Sequence, residues 1–209
     1  MNITIRREEK IDHRAVEELT REAFWNLHVP GCNEHLLAHK LRSCAAFIPA
    51  LDFVAEKDGQ VVGSIMYCRS TVKNDDQKIF DVITFGPLSV LPAFQKRGIG
   101  GMLIRHSLKA AAGLGHQAVL IYGDPAYYRR FGFQSAQAFG ISTSEGKFID
   151  PLMALEIVPG ALDHVSGRFL EGEAYSVDPD ELIKFDKTFP FKEKRVTESQ
   201  KRFAEMAGQ

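Results

Sequence analysis

The sequence predicts an α/β fold in which helices flank a sheet built around an antiparallel meander. Three observations carry this. An extended start runs into a helix of amphipathic spacing; three stretches rich in β-branched and aromatic residues follow one another across short turns; and a later strand leads through a glycine-ended loop directly into another helix.

The elements follow in order. Residues 2–6 form the first strand, and Ala15, Val16, Leu19, Ala23 and Leu27 then recur at helical spacing until Pro30-Gly31 stops the pattern. Asn33 is placed to cap a second helix, with Glu34 favourable to the dipole in its first turn and Leu37, Leu41 and Cys44 as its inner stripe. Residues 52–56 and 61–71 flank Lys57-Asp58-Gly59-Gln60, where Asp-Gly suits a two-residue hairpin, and residues 79–90 supply the third strand of the meander after a turn at 73–77. Past Leu91 a polar loop reaches Gly98, and a helix to about Leu114 carries Ile99, Met102, Leu103, His106 and Ala110 on one side. Residues 118–122 are a short apolar strand. Asp124-Pro125 then starts a short helix over 126–130, with Asp as cap and Pro at the first position, and Gly132 stops it. Residues 152–158 are the clearest later strand, closed by Pro159-Gly160.

Composition narrows the function. The 209 residues are 44% hydrophobic and 25% charged with a net charge of −1, which fits a globular chain able to bury a core. No basic excess is available to neutralise a duplex, so nucleic acid is not expected as a partner. The N-terminus is polar from its second residue and no apolar run reaches 18 residues, so neither a secretory signal nor a membrane span is expected and the protein reads as cytoplasmic. Cys32, Cys44 and Cys68 are odd in number and contain no Cys-x-x-Cys pair; they read as small buried hydrophobes, and no metal is expected. Residues 184–209 carry seven Lys or Arg against four Asp or Glu, with Val196, Phe203 and Met206 able to share a helix face. The division expected is a main domain over 1–158 and an extension over 159–209 that packs on it or makes a homodimer contact.

The segment that carries chemistry is Leu88 to Gly101. Unpaired N–H groups at a helix start, with glycines that let a ligand approach the backbone, make a cradle for a pyrophosphate. It is not a Walker A loop, since no Gly-Lys-Ser/Thr follows, and Gly98-Ile-Gly100-Gly101 breaks the Gly-x-Gly-x-x-Gly spacing of dinucleotide sites.

Gln95-Lys-Arg-Gly-Ile-Gly100 fits Q/R-x-x-G-x-G and resembles the acetyl-coenzyme A loop of the GNAT superfamily of N-acetyltransferases. A second motif agrees. Tyr128-Arg-Arg-Phe-Gly132-Phe133 stands just past the next strand, where that family commonly carries a Tyr four residues before a Gly-Phe pair. The resemblance covers residues 2–133 in element order. It implies a GNAT-like fold, with a mixed, mostly antiparallel sheet splayed at the cofactor cleft; Pro87, which cannot donate to a ladder, suits such a splay. Asp124 stands where many members have Asn, a departure at one cofactor contact.

The resemblance also implies roles. Leu88, Ser89 and Val90 would offer backbone groups to the pantetheine and thioester; Gln95, Lys96, Arg97, Gly98, Ile99 and Gly100 would hold the pyrophosphate; Tyr128 would protonate the leaving thiolate, with Tyr127 ranked second. The activity implied is transfer of acetyl from acetyl-CoA to an amine by direct attack in a ternary complex. The rival reading is an acyl-CoA sensor or interaction module of the same descent that does not turn over, against which Tyr128 argues. The sequence does not mark the base that an ammonium needs. Glu34 is the leading candidate, and His28, His35 and His116 are the other groups that titrate near neutrality.

Overall fold

A computed structural model describes residues 2–201. Its elements in chain order are β1 (Thr4–Arg7), α1 (His13–Phe24), α2 (Glu34–Leu41), β2 (Phe53–Lys57), β3 (Gln60–Lys73), β4 (Ile79–Val90), α3 (Ile99–Gly113), β5 (Ala118–Tyr122), α4 (Pro125–Tyr128), β6 (Gln134–Ser135), β7 (Ile141–Ser142), β8 (Leu152–Glu156), β9 (Gly167–Leu170) and α5 (Pro179–Asp186). They form one mixed sheet in the order β1-β2-β3-β4-β5-β8-β6, with β9 paired to both β3 and β7. The expected meander is β2-β3-β4. Asp58 and Gly59 both take positive φ, 50° and 80°, which the tight β2-β3 hairpin requires.

Helices cover both faces. Ile65 and Tyr67 of β3 point into a core shared with Ile99, Leu103 and Ile104 of α3, while the alternate Met66 and Cys68 face Ala38 and Leu41 of α2. This two-residue alternation sorts one strand between two layers. β4 and β5 are parallel and in register only at Ile83 and Val119. Beyond that point they part. The β3-β4 register shifts where Ile65 faces Leu88 and Tyr67 faces Phe85, so Gly86 and Pro87 oppose Met66 alone and β4 bulges there.

Four details differ from the sequence expectation. α1 stops at Phe24, because Asn26 adopts φ 59° and its amide oxygen accepts from the Gly31 N–H at 2.8 Å, closing a loop that puts Leu27 outside the helix. The buried stripe of α3 is Ile99, Gly100, Leu103, Ile104, Ser107 and Ala111, whereas Met102 and His106 are exposed. The inner face of α2 is led by His35, Leu36, Ala38 and Leu41, with Leu37 and Cys44 half-buried. Val196 is exposed and non-helical, and Phe203 and Met206 lie outside the described residues.

Residues after Pro159 contribute β9 and α5 and then run along α1. Phe189 is buried against His35, Phe185 and Arg14. Asp186 pairs with the buried Arg21, and the backbone oxygen of Glu193 accepts from Trp25 and Asn26. Among the described residues no helix is long and apolar enough to cross a membrane.

Candidate active site

The parting of β4 and β5 opens a cleft of about 1200 Å³ whose walls come from both faces of the sheet. On the α3 side stand Gln95, Lys96, Gly98, Ile99, Gly100, Tyr127 and Arg130. On the α1-α2 side stand Phe24, Leu27, His28, Glu34, Leu37 and, from the C-terminal segment, Glu171, Tyr175 and Val177. Phe85 to Leu88, Val90 and Tyr128 lie between.

The α3 side is a helix start left open. Gly98 is its N-cap at φ 85°, no side chain caps it, and the first intrahelical bond runs from Met102 N–H to Gly98 carbonyl at 3.0 Å. The N–H groups before Met102 therefore have no helical partner. Lys96, at φ 58°, turns the loop and lines the wall. A Cβ on Gly98 would meet nothing within 4 Å, so what glycine supplies there is backbone conformation; a Cβ on Gly100 would come 2.6 Å from the Tyr127 hydroxyl. These residues fit a pyrophosphate.

The other residues expected to hold the donor are distributed as follows. Leu88 and Val90 line the cleft, and the Val90 carbonyl accepts from Gln95 Nε2 at 3.0 Å. The Ser89 side chain points away, buried and donating to Thr20 Oγ1 at 3.0 Å, so only its backbone is placed to serve. Arg97 is exposed beside the Phe94 ring and off the wall. Arg130, which the sequence reading did not single out, lines the wall with its guanidinium 3.9 Å over the Tyr127 ring. Its signal lay inside the second motif.

Tyr128 sits in the splay. Asp124 accepts from the Ala126 N–H at 2.8 Å and so fixes the start of α4, which turns adjacent Tyr127 and Tyr128 to different places. The Tyr128 ring is packed between Phe85 and Phe133 and directly over Gly123, where any Cβ would enter the ring. Among the described residues its hydroxyl has no hydrogen-bond partner. Burial, with smaller contributions from Tyr127 and Asp124, pushes its ionisation up, so the phenol keeps its proton.

The acid and histidine candidates separate by position. Glu34 and His28 share the wall, with His28 Nδ1 3.5 Å from Glu34 Oε1, while Glu34 Oε2 accepts from the Asn33 N–H at 3.0 Å. His35 is fully buried away from the cleft, Nδ1 3.4 Å from Cys32 Sγ, and burial holds it near 4 and neutral. The neighbouring Cys32 thiol is pushed well up by burial, so the pair is inert packing. His116 also lies off the wall, lowered by burial. Glu171 was missed altogether: it faces the cleft, and burial raises its carboxyl to about 7. Among the described residues no cluster of three or more His, Cys, Asp or Glu could hold a metal.

Comparison with known proteins agrees with this geometry. Residues 51–135 match the acetyltransferase (GNAT) domain family. The chain is 37% identical over 87 residues to the uncharacterized N-acetyltransferase YjhQ of Escherichia coli (strain K12), covering 41% of this chain and 47% of that protein. It is 30% identical over 132 residues to the uncharacterized N-acetyltransferase YhbS of the same strain, covering 63% and 74%. The crystal structure of the GNAT family YhbS from Escherichia coli in complex with CoA superposes at TM-score 0.74 and 26% identity, over 84% of this chain and 92% of that one. A GNAT family acetyltransferase from Brucella melitensis in complex with acetyl-CoA superposes at 0.67 and 30%, over 84% and 99%. At 30% identity over most of the length of both YhbS and the Brucella melitensis enzyme, and with a GNAT domain matched over residues 51–135, the chain belongs to the GNAT family of N-acetyltransferases.

Proposed function

We propose that the protein moves the acetyl group of acetyl-CoA to a primary amine by direct attack, with both substrates bound together. The observation that carries this is the Tyr128 hydroxyl, unengaged and held protonated in the splay between a phosphate-fitting helix start and a second mouth on the opposite face. Gln95 to Gly100, with Lys96 as the nearby cation, hold the pyrophosphate. The backbones of Leu88, Ser89 and Val90 guide the pantetheine arm, and a carboxylate of the α1-α2 side, Glu34 or Glu171, meets the incoming ammonium. Tyr128 gives its proton to the departing sulfur, a contribution typically worth about 10²- to 10⁴-fold in rate.

The test is binding followed by turnover. Acetyl-CoA at 100 times its dissociation constant should stabilise the fold by about 2.7 kcal/mol, read as a rise in melting temperature. Thiol should then be released from acetyl-CoA when a panel of primary amines is added. Tight binding without thiol release above background for any amine would make the protein a sensor, and no thermal shift would remove the cradle.

A further inference from the structure

Two carboxylates reach the α1-α2 mouth, and their surroundings differ. Glu34 is occupied by the Asn33 N–H and by His28. Glu171 has neither a hydrogen bond nor an ion pair among the described residues, yet it lines the cleft where the segment after β9 crosses the splay. The groups around it are Tyr122 on β5, Tyr175 on the following turn and Cys68 on β3, each pushed up by burial and so neutral. Arg69, Cys44 and Glu145 complete the charged and titratable groups that act on this corner through those three. Glu171 is half-buried, and an unpaired carboxylate withdrawn from water in this way is costly unless a cation arrives to pair with it.

The same mouth selects by what it lacks. Around Glu34, Glu171 and His28 the mouth is lined by Phe24, Leu27, Leu37, Ile149, Pro151 and Val177, while the only Lys or Arg on the described wall are Lys96 and Arg130, both on the α3 side, and His28 is already beside Glu34. A substrate carboxylate or phosphate entering here would find no cation from Lys or Arg.

We propose that Glu171 is the group that receives the acceptor's ammonium and takes its proton, and that this acceptor is a small amine on an apolar body with no anionic group. The inference rests on the acetyl-transfer reading above. Glu171 takes one proton from R–NH3⁺, leaving R–NH2. As the nitrogen forms its bond to the thioester carbonyl and the carbon–sulfur bond breaks, Tyr128 protonates the thiolate, and the second nitrogen proton restores the Tyr128 phenol. Glu171 returns its proton to water, so one proton is released per turnover.

The experiment compares phenethylamine, phenylalanine and aniline with the wild type and Glu171→Gln. Phenethylamine should exceed phenylalanine, which adds only a carboxylate, by about 100-fold in kcat/KM, since an unpaired charge in this mouth is penalised. For phenethylamine the wild-type kcat/KM should rise with pH through about 7, the value burial gives the Glu171 carboxyl. Glu171→Gln should lose that limb and about 10²- to 10³-fold in rate at pH 7, with acetyl-CoA affinity retained. Aniline is already neutral, so its loss should stay under about tenfold, a difference that a purely structural role for Glu171 would not produce. An unchanged pH limb, an equal loss for aniline, or phenylalanine matching phenethylamine overturns the proposal. Calorimetry of phenethylamine on the CoA complex separates it from the parent reading. Binding that Glu171→Gln weakens tenfold supports Glu171 even where no acetyl moves, and absence of binding overturns it.

Discussion

The Tyr128 ring rests on Gly123 so closely that the two positions act as one unit. Tyr128→Phe keeps the ring and its contacts with Phe85 and Phe133 but removes the proton. Both kcat and kcat/KM should fall together by about 10- to 1000-fold, with acetyl-CoA affinity nearly unchanged. Gly123→Ala should reach a similar loss by displacing the ring, and assays of both variants beside Tyr127→Phe decide the matter. Full activity in Tyr128→Phe would return the proton to solvent. At this scale the sequence announced the residues that sit in contiguous motifs, Gln95 to Gly100 and Tyr128 to Phe133, because local spacing is what a helix start and a tight turn demand. Glu171 had no such signal. Its chemistry arises from a neighbourhood of Tyr122, Tyr175 and Cys68 that only the folded chain assembles.

Elements whose ends are set by local turn chemistry were legible from the chain: β4 spans the residues expected, and α4 starts on its Asp-Pro cap. α1 was read too long because a hydrophobic period continues to Leu27, while the Asn26 and Gly31 bonds that end the helix leave no mark on periodicity. α5 went unread although Asp178-Pro179 starts it with the same cap that marks α4, because its eight residues carry little apolar periodicity and owe their place to partners far away in sequence. Phe189, just past it, is the clearest such partner, 7% exposed, 5.2 Å from the His35 ring and with the Arg14 guanidinium 3.7 Å over its face. Phe189→Ala should cost about 3–5 kcal/mol by urea denaturation, as large cavities in packed sites do. A change under about 1 kcal/mol would show that α5 contributes little to holding the α1-α2 layer.

Across the whole molecule, the junction of β1, α2 and β2 hides a pair of carboxyls. The Glu8 side chain is fully buried and held by Arg42, and burial together with Glu8 pushes the Asp52 carboxyl well above its ordinary range. Among the described residues Glu8 Oε2 and Asp52 Oδ1 have no hydrogen-bond partner, an arrangement that a proton shared between them would satisfy. The native state thus binds a proton that the unfolded chain gives up near pH 4. That contribution is full below the ordinary Asp range and is lost as pH rises toward the elevated native value. Asp52→Asn, whose amide donates at every pH, should flatten the fall in stability between pH 5 and 9 measured by urea denaturation; parallel curves for the two proteins would exclude the shared proton.

β9 lies against the far end of β3, where Thr71, Val72 and Lys73 pair with Leu170, Phe169 and Arg168, while β2 occupies the same edge only as far as Ile65. Gly167, at φ 132°, makes this approach possible, because a Cβ there would run into the Lys73 backbone. A long strand with a bare row of N–H and C=O groups is a template for another chain. The segment that brings Glu171 to the cleft therefore also covers the sheet edge against edge-to-edge pairing, so that protection from aggregation and the proposed acceptor site are tied to one short strand.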